Sequence, residues 1–482
     1  MLIEKVKKDM DQFVDLFRLS ACDIACLIGE KKISCQQLVE LYFANIEQQA
    51  ALNAFISLDK NAALKQAQFW DQQLLAGEQC PALMGVLVAV KDNIHVSGFP
   101  NSAGTPALFN FIPPASAPII QKLVDQGAII VGKAHMHELA FGVTGYNTAI
   151  PMNGVIGTRN AHNPLYIAGG SSSGSAVAVA AGMVPIAIGT DTGASVRLPS
   201  ALNGCVGFRP TVGRYPQQGI TPISHTRDTA GIMAHTVADI AWMDAIITEK
   251  PIAIAKSVTT IKLGICRYFW ENLDQAVALQ AQRALDVLTN AGIELIMVDL
   301  PELEDLNRQI SFPVVVYEAK YDLIKYLQQY TELSIDEVVA QIASPDVRDI
   351  FEQYVLPEMV IDQQQQVPVL PHYQRALHDA RPQLLALYKK IFSENQLSAL
   401  IFPTSPIVAP LANQQASSME NFQRLIRNTD PGSNIGLPGL SLSIGQVASS
   451  KLSIGLEIDG LPYSDHDILA IGMTLESILK DL

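Results

Sequence analysis

Residues 85–94 read GVLVAVKDNI. A glycine introduces five consecutive apolar residues, Val86–Val90, and the chain then turns polar at once with Lys91, Asp92 and Asn93. An apolar run without alternation is the pattern of a strand covered on both faces, and such strands belong to sheets with helices above and below. Working outward, Val184–Ile188, Ile261–Ile265 and Ile293–Val298 are further strand candidates. Helical patterns lie between them. Ser34-x-x-Gln37 is a capping box, followed by Val39, Tyr42, Phe43 and Ile46 at helical spacing. Asp274–Asn290 is a second helical stretch, with Gly292 at its C-terminal cap. Strands alternating with helices predict an α/β fold around a largely internal sheet.

The chain has 482 residues, 49% apolar and 17% charged, which gives ample core and excludes a disordered chain. Its formal charge of −14 repels a phosphate backbone, so no nucleic-acid partner is expected. The opening MLIEKVKKDMDQF is interrupted by charges and does not read as a secretory signal. The most membrane-like stretch, Ser175–Gly189, is short, rich in Ala and Gly, and contains Pro185; it is expected in the core, with no membrane partner. Six cysteines without a CxxC pair read as reduced thiols of a cytoplasmic protein. Cys22 and Cys26 lie one helical turn apart, but nothing completes a zinc set. Glu249–Thr260 loses periodicity and is the best boundary candidate, while Gln363–Gln366 reads as a surface loop.

Three segments could carry chemistry. Gly169-Gly170-Ser171-Ser172-Ser173-Gly174-Ser175 is unlike a linker, because apolar runs flank it closely, and unlike a phosphate loop, because no Gly-Lys-Ser/Thr follows. Gly170-x-Ser172-x-Gly174 fits a nucleophile elbow, although Asn163–Ala168 contains Pro164 and makes a poor central strand before it. Such a site needs a later acid and histidine; His372, His378 and His466 are available. The second segment, Gly189-Thr190-Asp191-Thr192-Gly193-Ala194-Ser195-Val196-Arg197, is small enough for backbone N–H groups to approach a ligand around a serine, as an oxyanion hole requires. Asp191 and Arg197 are expected to form a structural ion pair across it. The third is Lys91, whose amine, if buried, would have a lowered pKa and could act as a base. Lys133 is an equal candidate on composition.

Together, GVLVAVKDNI (85–94), GGSSSGSA (169–176) and GTDTGASVRLPSALNGCVGFRPTVGR (189–214) closely resemble the amidase signature family. The likeness runs from about Leu19 to the C-terminus and includes DPGSNIGLPGLSLSIG (430–445). The resemblance implies a single α/β domain with a large mixed central sheet flanked by helices. N-terminal helices would span about 1–60 and a signature core about 61–248; the remainder, about 261–482, would complete the sheet and pocket. It also implies that Lys91 is the catalytic lysine, Ser171 the serine on a cis peptide bond and Ser195 the nucleophile. The N–H groups of Thr192, Gly193, Ala194 and Ser195 would form the oxyanion loop, leaving Ser172 a neighbour and Lys133 structural. Two residues depart from the common pattern: Ser173 and Ala194 stand where the family most often has glycine, and Ala194 must then keep a negative φ.

Within the family, HMHELAFG (135–142), PISHTRDT (222–229) and GLEIDG (455–460) resemble the indoleacetamide and mandelamide hydrolases. The expected activity is hydrolysis of a small primary carboxamide bearing an aryl or arylacetyl group, through an acyl-enzyme, with neither metal nor organic cofactor. His137 and His225 are candidate pocket residues, and Phe312–Pro371 carries no motif that can be placed. A glutaminase-type amidotransferase subunit and a Ser–His–Asp esterase using Ser172 stand as alternatives. The sequence leaves open whether the chain forms a homo-oligomer.

Overall fold

The computed structural model describes residues 16–152 and 154–482, so the reading of the first thirteen residues, and the start of the expected N-terminal helical region, lie outside the described residues. Eleven strands form one mixed sheet: β1 (Phe55–Leu58), β2 (Leu87–Lys91), β3 (Ile129–Ala134), β4 (Ile186–Asp191), β5 (Val206–Arg209), β6 (Thr229–Ala234), β7 (Lys262–Cys266), β8 (Glu294–Val298), β11 (Ala399–Pro403), β12 (Gly439–Gln446) and β13 (Ser453–Asp459). Their order is β1-β3-β2-β4-β6-β5-β12-β13-β11-β7-β8. Strands from both sides of residues 249–260 therefore share one sheet, and that segment is a connection within it. The remaining two, β9 (Met359–Asp362) and β10 (Gln365–Pro368), form a separate antiparallel hairpin.

The 85–94 stretch lies inside the sheet, as its pattern requires. Val88, Ala89 and Val90 pair in parallel with Ile186, Ala187 and Ile188. On one face Val88, Val90, Ile186 and Ile188 join a cluster containing Ile119, Ile120, Val237 and Ile240. On the other, Leu87, Ala89 and Ala187 meet Ala176 and Val177 of the helix Ser173–Ala180, with Val39, Tyr42 and Phe43 of the helix Cys35–Gln48 in the same cluster. Burying an aliphatic side chain on each face contributes roughly 1.5–3 kcal/mol, so no polar residue is tolerated until the strand ends.

The predicted capping box is present, with Ser34 and Gln37 bonding reciprocally to each other's backbone N–H. The helix Gln275–Asn290 follows Asp274, and Gly292, at φ +95, takes the left-handed position just beyond it. Two expectations are corrected. Gly189, Thr190 and Asp191 are not loop; they extend β4, because β6 supplies pairing partners Gly231, Ala230 and Thr229. Residues 363–366 are exposed but ordered: Gln363 and Gln364 adopt φ of 45 and 66, the left-handed pair that turns a two-residue hairpin, and Gln365 already belongs to β10. The stretch 175–189 divides between a buried helix end and β4. Among the described residues, no helix is long and apolar enough to cross a membrane.

Candidate active site

Lys91 closes β2 on the face of Leu87 and Ala89, so its side chain enters the layer between the sheet and the Ser173–Ala180 helix. It is wholly buried, and its Nζ stands 2.8 Å from Ser171 Oγ, 2.7 Å from Thr190 Oγ1 and 3.4 Å from Thr190 O. Among the described residues, no carboxylate touches it. Burial holds its pKa down to about 7 from the ordinary 10.5, against the weaker opposing pull of Asp191 and Asp228. Ser171 is fully buried, follows Gly170 through a cis peptide bond, and accepts the His137 N–H at its carbonyl. The serine loop lies hard against β4 because Gly189 has no side chain. A Cβ there would stand 2.7 Å from Ser172 Oγ.

β4 then runs into the loop Thr192–Ser195. Its carbonyls are turned away and occupied: Thr192 O accepts from Arg227 Nε, and Gly193 O accepts from Arg197 Nη2 and Ser433 Oγ. The N–H groups of Thr192, Gly193, Ala194 and Ser195 have no acceptor among the described residues, and neither has the Ser195 hydroxyl a partner there. Beneath the loop, Asp191 accepts from Arg197 at 3.1 Å and Arg209 at 3.0 Å, and from the Val196 N–H at 3.0 Å. Burial pushes the Asp191 carboxyl up, but the two guanidiniums outweigh it and hold it well below the usual carboxylate range. Arg197 also reaches Glu457 at 2.6 Å. This buried network fixes where the loop stands.

Thr192 to Ser195 form one side of a slot of about 100 Å³. Its other walls are half-buried apolar side chains from distant parts of the chain: Phe141, Phe312 and Val315 of the helix Leu303–Tyr330, Ile350, and Phe422 of the helix Met419–Ile426. Arg227 and Asp430, paired at 2.6 Å, are the ionised groups on its lining. A larger chamber of about 520 Å³ adjoins it, sharing Phe141, Ile350 and Phe422.

The amidase family model matches residues 37–469. The chain belongs to the amidase signature family. This amidase is 48% identical over 466 residues to a mandelamide hydrolase of Pseudomonas putida, spanning 96% of this chain and 92% of that protein. It is 40% identical over 462 residues to an indoleacetamide hydrolase of Agrobacterium vitis, spanning 94% and 95%. Among solved structures, an amidase superposes with a TM-score of 0.83 at 30% identity, over 96% of this chain and 100% of that one. The sheet and its flanking helices are thus those of a single amidase domain.

Within this amidase, Lys91 meets Ser171 directly, and the 192–195 loop reaches the serine segment where the Ser172 N–H donates to Ser195 O at 3.1 Å. Asp191 and Arg197 support the loop from below. Ser172 is wholly buried and its hydroxyl is spent on the Thr190 backbone, donating to O at 3.0 Å and accepting from N at 3.2 Å. Its hydroxyl is thus engaged both as donor and as acceptor. Ser173 Oγ bonds Thr158 Oγ1 and His135 O, a structural use of the unusual hydroxyl. Ala194 keeps a negative φ. Lys133 is held by Asp92, Pro100 O and Asn101, away from the serines.

The two candidate pocket histidines are not on its lining. His137 lies beneath Gly142, bonded to Asp346 at 3.0 Å and Thr144 at 3.2 Å. His225 is largely exposed and pairs with Asp322 at 2.9 Å, which raises its pKa. Among the described residues, His225, Glu318 and Asp322 bring three metal-capable atoms within 4.8 Å of one another. The Glu318 carboxylate there already accepts from the hydroxyls of Ser224, Thr226 and Tyr373. The slot walls at Phe312, Val315, Ile350 and Phe422 were missed. Their only sequence signal is apolar residues in segments without motif.

Proposed function

We propose that this amidase hydrolyses a small primary carboxamide carrying an aryl or arylacetyl group, releasing ammonia and the carboxylate. The observation that carries this reading is the buried Lys91 amine within 2.8 Å of Ser171, at a site where Ser195 stands open on an apolar slot. Neutral Lys91 takes the proton of Ser171, and Ser171 takes that of Ser195. Ser195 Oγ bonds to the amide carbon while the N–H groups of Thr192 to Ser195 receive the developing oxyanion. The relay runs backward to protonate the leaving nitrogen. Ammonia departs, and water cleaves the acyl-enzyme by the same relay. The slot supports the choice of acyl group: its walls are aromatic and aliphatic, and burying a ring there supplies binding energy. The mandelamide and indoleacetamide hydrolases to which the chain is similar are named for amides of that kind.

A serine-directed fluorophosphonate, located by peptide mass spectrometry, tests the nucleophile. Modification at Ser195, lost in Ser195→Ala together with ammonia release, is the expected result. Modification at Ser172 would overturn the mechanism. For the substrate class, phenylacetamide should exceed acetamide in kcat/KM by at least about tenfold; equal values would refute the acyl-group assignment alone.

A further inference from the structure

We infer that Thr190 is a positioning residue whose hydroxyl and carbonyl oxygens hold the ammonium form of Lys91 while the proton relay runs; the inference rests on the reading of Lys91 as the base. When Ser195 Oγ forms its bond to the amide carbon, its proton passes to Ser171 Oγ, and the Ser171 proton passes to Lys91. The amine then carries three N–H bonds and a positive charge. That charge arises where solvent does not reach, since Lys91 is 0% exposed.

The charged groups facing it are engaged elsewhere. Asp191, on β4, is bound by Arg197 and Arg209. Asp228 accepts from Thr192 Oγ1 at 2.6 Å and from the N–H groups of Ile223 and Ser224. On the neighbouring β3, Lys133 is turned to Asp92 and Asn101. The helix Ser173–Ala180, packed on the same face, carries no ionisable side chain.

The new ammonium therefore finds three acceptors: Ser171 Oγ at 2.8 Å, Thr190 Oγ1 at 2.7 Å and Thr190 O at 3.4 Å. Thr190 supplies two of the three. Its hydroxyl is itself oriented by Asn93 Nδ2, which donates to Oγ1 from 3.2 Å. A hydrogen bond to a charged donor is about twice as strong as one to a neutral donor, so the Thr190 hydroxyl favours the ammonium over the amine. It makes Lys91 a stronger base than burial alone would leave.

Thr190→Val removes the hydroxyl at nearly constant shape and leaves the backbone carbonyl in place. Two changes in opposite senses are expected in the pH profile of kcat/KM for phenylacetamide. Lys91 gives up its proton more readily, so the acid limb moves about one pH unit lower. The plateau above the limb falls about tenfold, because the amine is a weaker base. Thr190→Ser keeps the hydroxyl and brings both back to within about twofold. General damage to the site would lower the plateau without moving the limb. A lowered plateau with an unmoved limb, or a Thr190→Ser variant no better than Thr190→Val, overturns the inference. Thermal unfolding of each variant establishes that the comparison is between folded enzymes. Lys91→Met separates this failure from that of the parent reading: if it abolishes amide turnover while the Thr190→Val limb stays put, only the role of Thr190 falls. Persistent turnover in Lys91→Met would remove both.

Discussion

Lowering the pH from about 9 to about 5 should extinguish amide hydrolysis through the single group Lys91. Its amine is held at about 7 by burial, against 10.5 for an ordinary lysine. At neutral pH about half the molecules then carry a free amine, where an exposed lysine would offer roughly one in three thousand. Burial thus enriches the active form of the base about 10³-fold at that pH. Protonation removes the relay's acceptor, so kcat/KM should fall about tenfold per pH unit below about 7 and level off above it. The assay is ammonia release from phenylacetamide at substrate well below KM, in buffers of constant ionic strength. The same titration has a stability counterpart. Between the native and unfolded values the unfolded chain binds the extra proton, so folding stability contributed by this group rises with pH from about 7 to 10.5. The thermal-unfolding difference between wild type and Lys91→Met should shift in favour of wild type across that window. An acid limb that survives in Lys91→Ala, or a wild-type limb centred in the carboxylate range or above about 9, would refute the reasoning.

Phe312→Ala should cut kcat/KM for phenylacetamide about tenfold while changing acetamide by less than about twofold, since only the aryl substrate uses that wall; a uniform loss would place Phe312 outside the slot's function. Asp191→Asn leaves Arg209 buried without its carboxylate and Arg197 with Glu457 alone, so denaturant unfolding should report a loss of about 3–5 kcal/mol; a loss below about 1 kcal/mol would show the network to be dispensable. His225→Ala should leave amide turnover within about twofold, because the ring points to Asp322 and not into the slot; a larger fall in kcat/KM would restore it as a pocket residue.

What the sequence disclosed was local. An unbroken apolar run ending in lysine betrays an internal strand, because only burial on both faces selects it, and the two small-residue loops betray close backbone approach. The extension of β4 through Gly189–Asp191 was hidden, since those residues have poor strand character and are recruited by β6 from 40 positions away. The Gln363–Gln364 turn was hidden because glutamine is not a usual left-handed residue. The slot walls were illegible for a different reason. Phe312, Ile350 and Phe422 are ordinary apolar residues in their own segments, and only the packing of the Leu303–Tyr330, Pro345–Ile350 and Met419–Ile426 helices around the loop makes them one surface. His225 was a candidate only through the resemblance of its stretch PISHTRDT, and in the fold it is an exposed partner of Asp322.

The proposed reacting groups all come from residues 91–195, with Lys91 at the end of β2, Ser171 just before the Ser173–Ala180 helix and Ser195 on the turn that leaves β4, whereas half of the wall facing that turn comes from 311–426. Inheritance can therefore act on the two halves separately. Replacements in the later segments can alter which acyl group is accepted without moving any atom of the proton relay. A lineage built this way can change its diet by drift in its helices while its chemistry stays fixed, and libraries confined to 311–350 and 419–426 should yield new substrate ranges far more often than inactive enzymes.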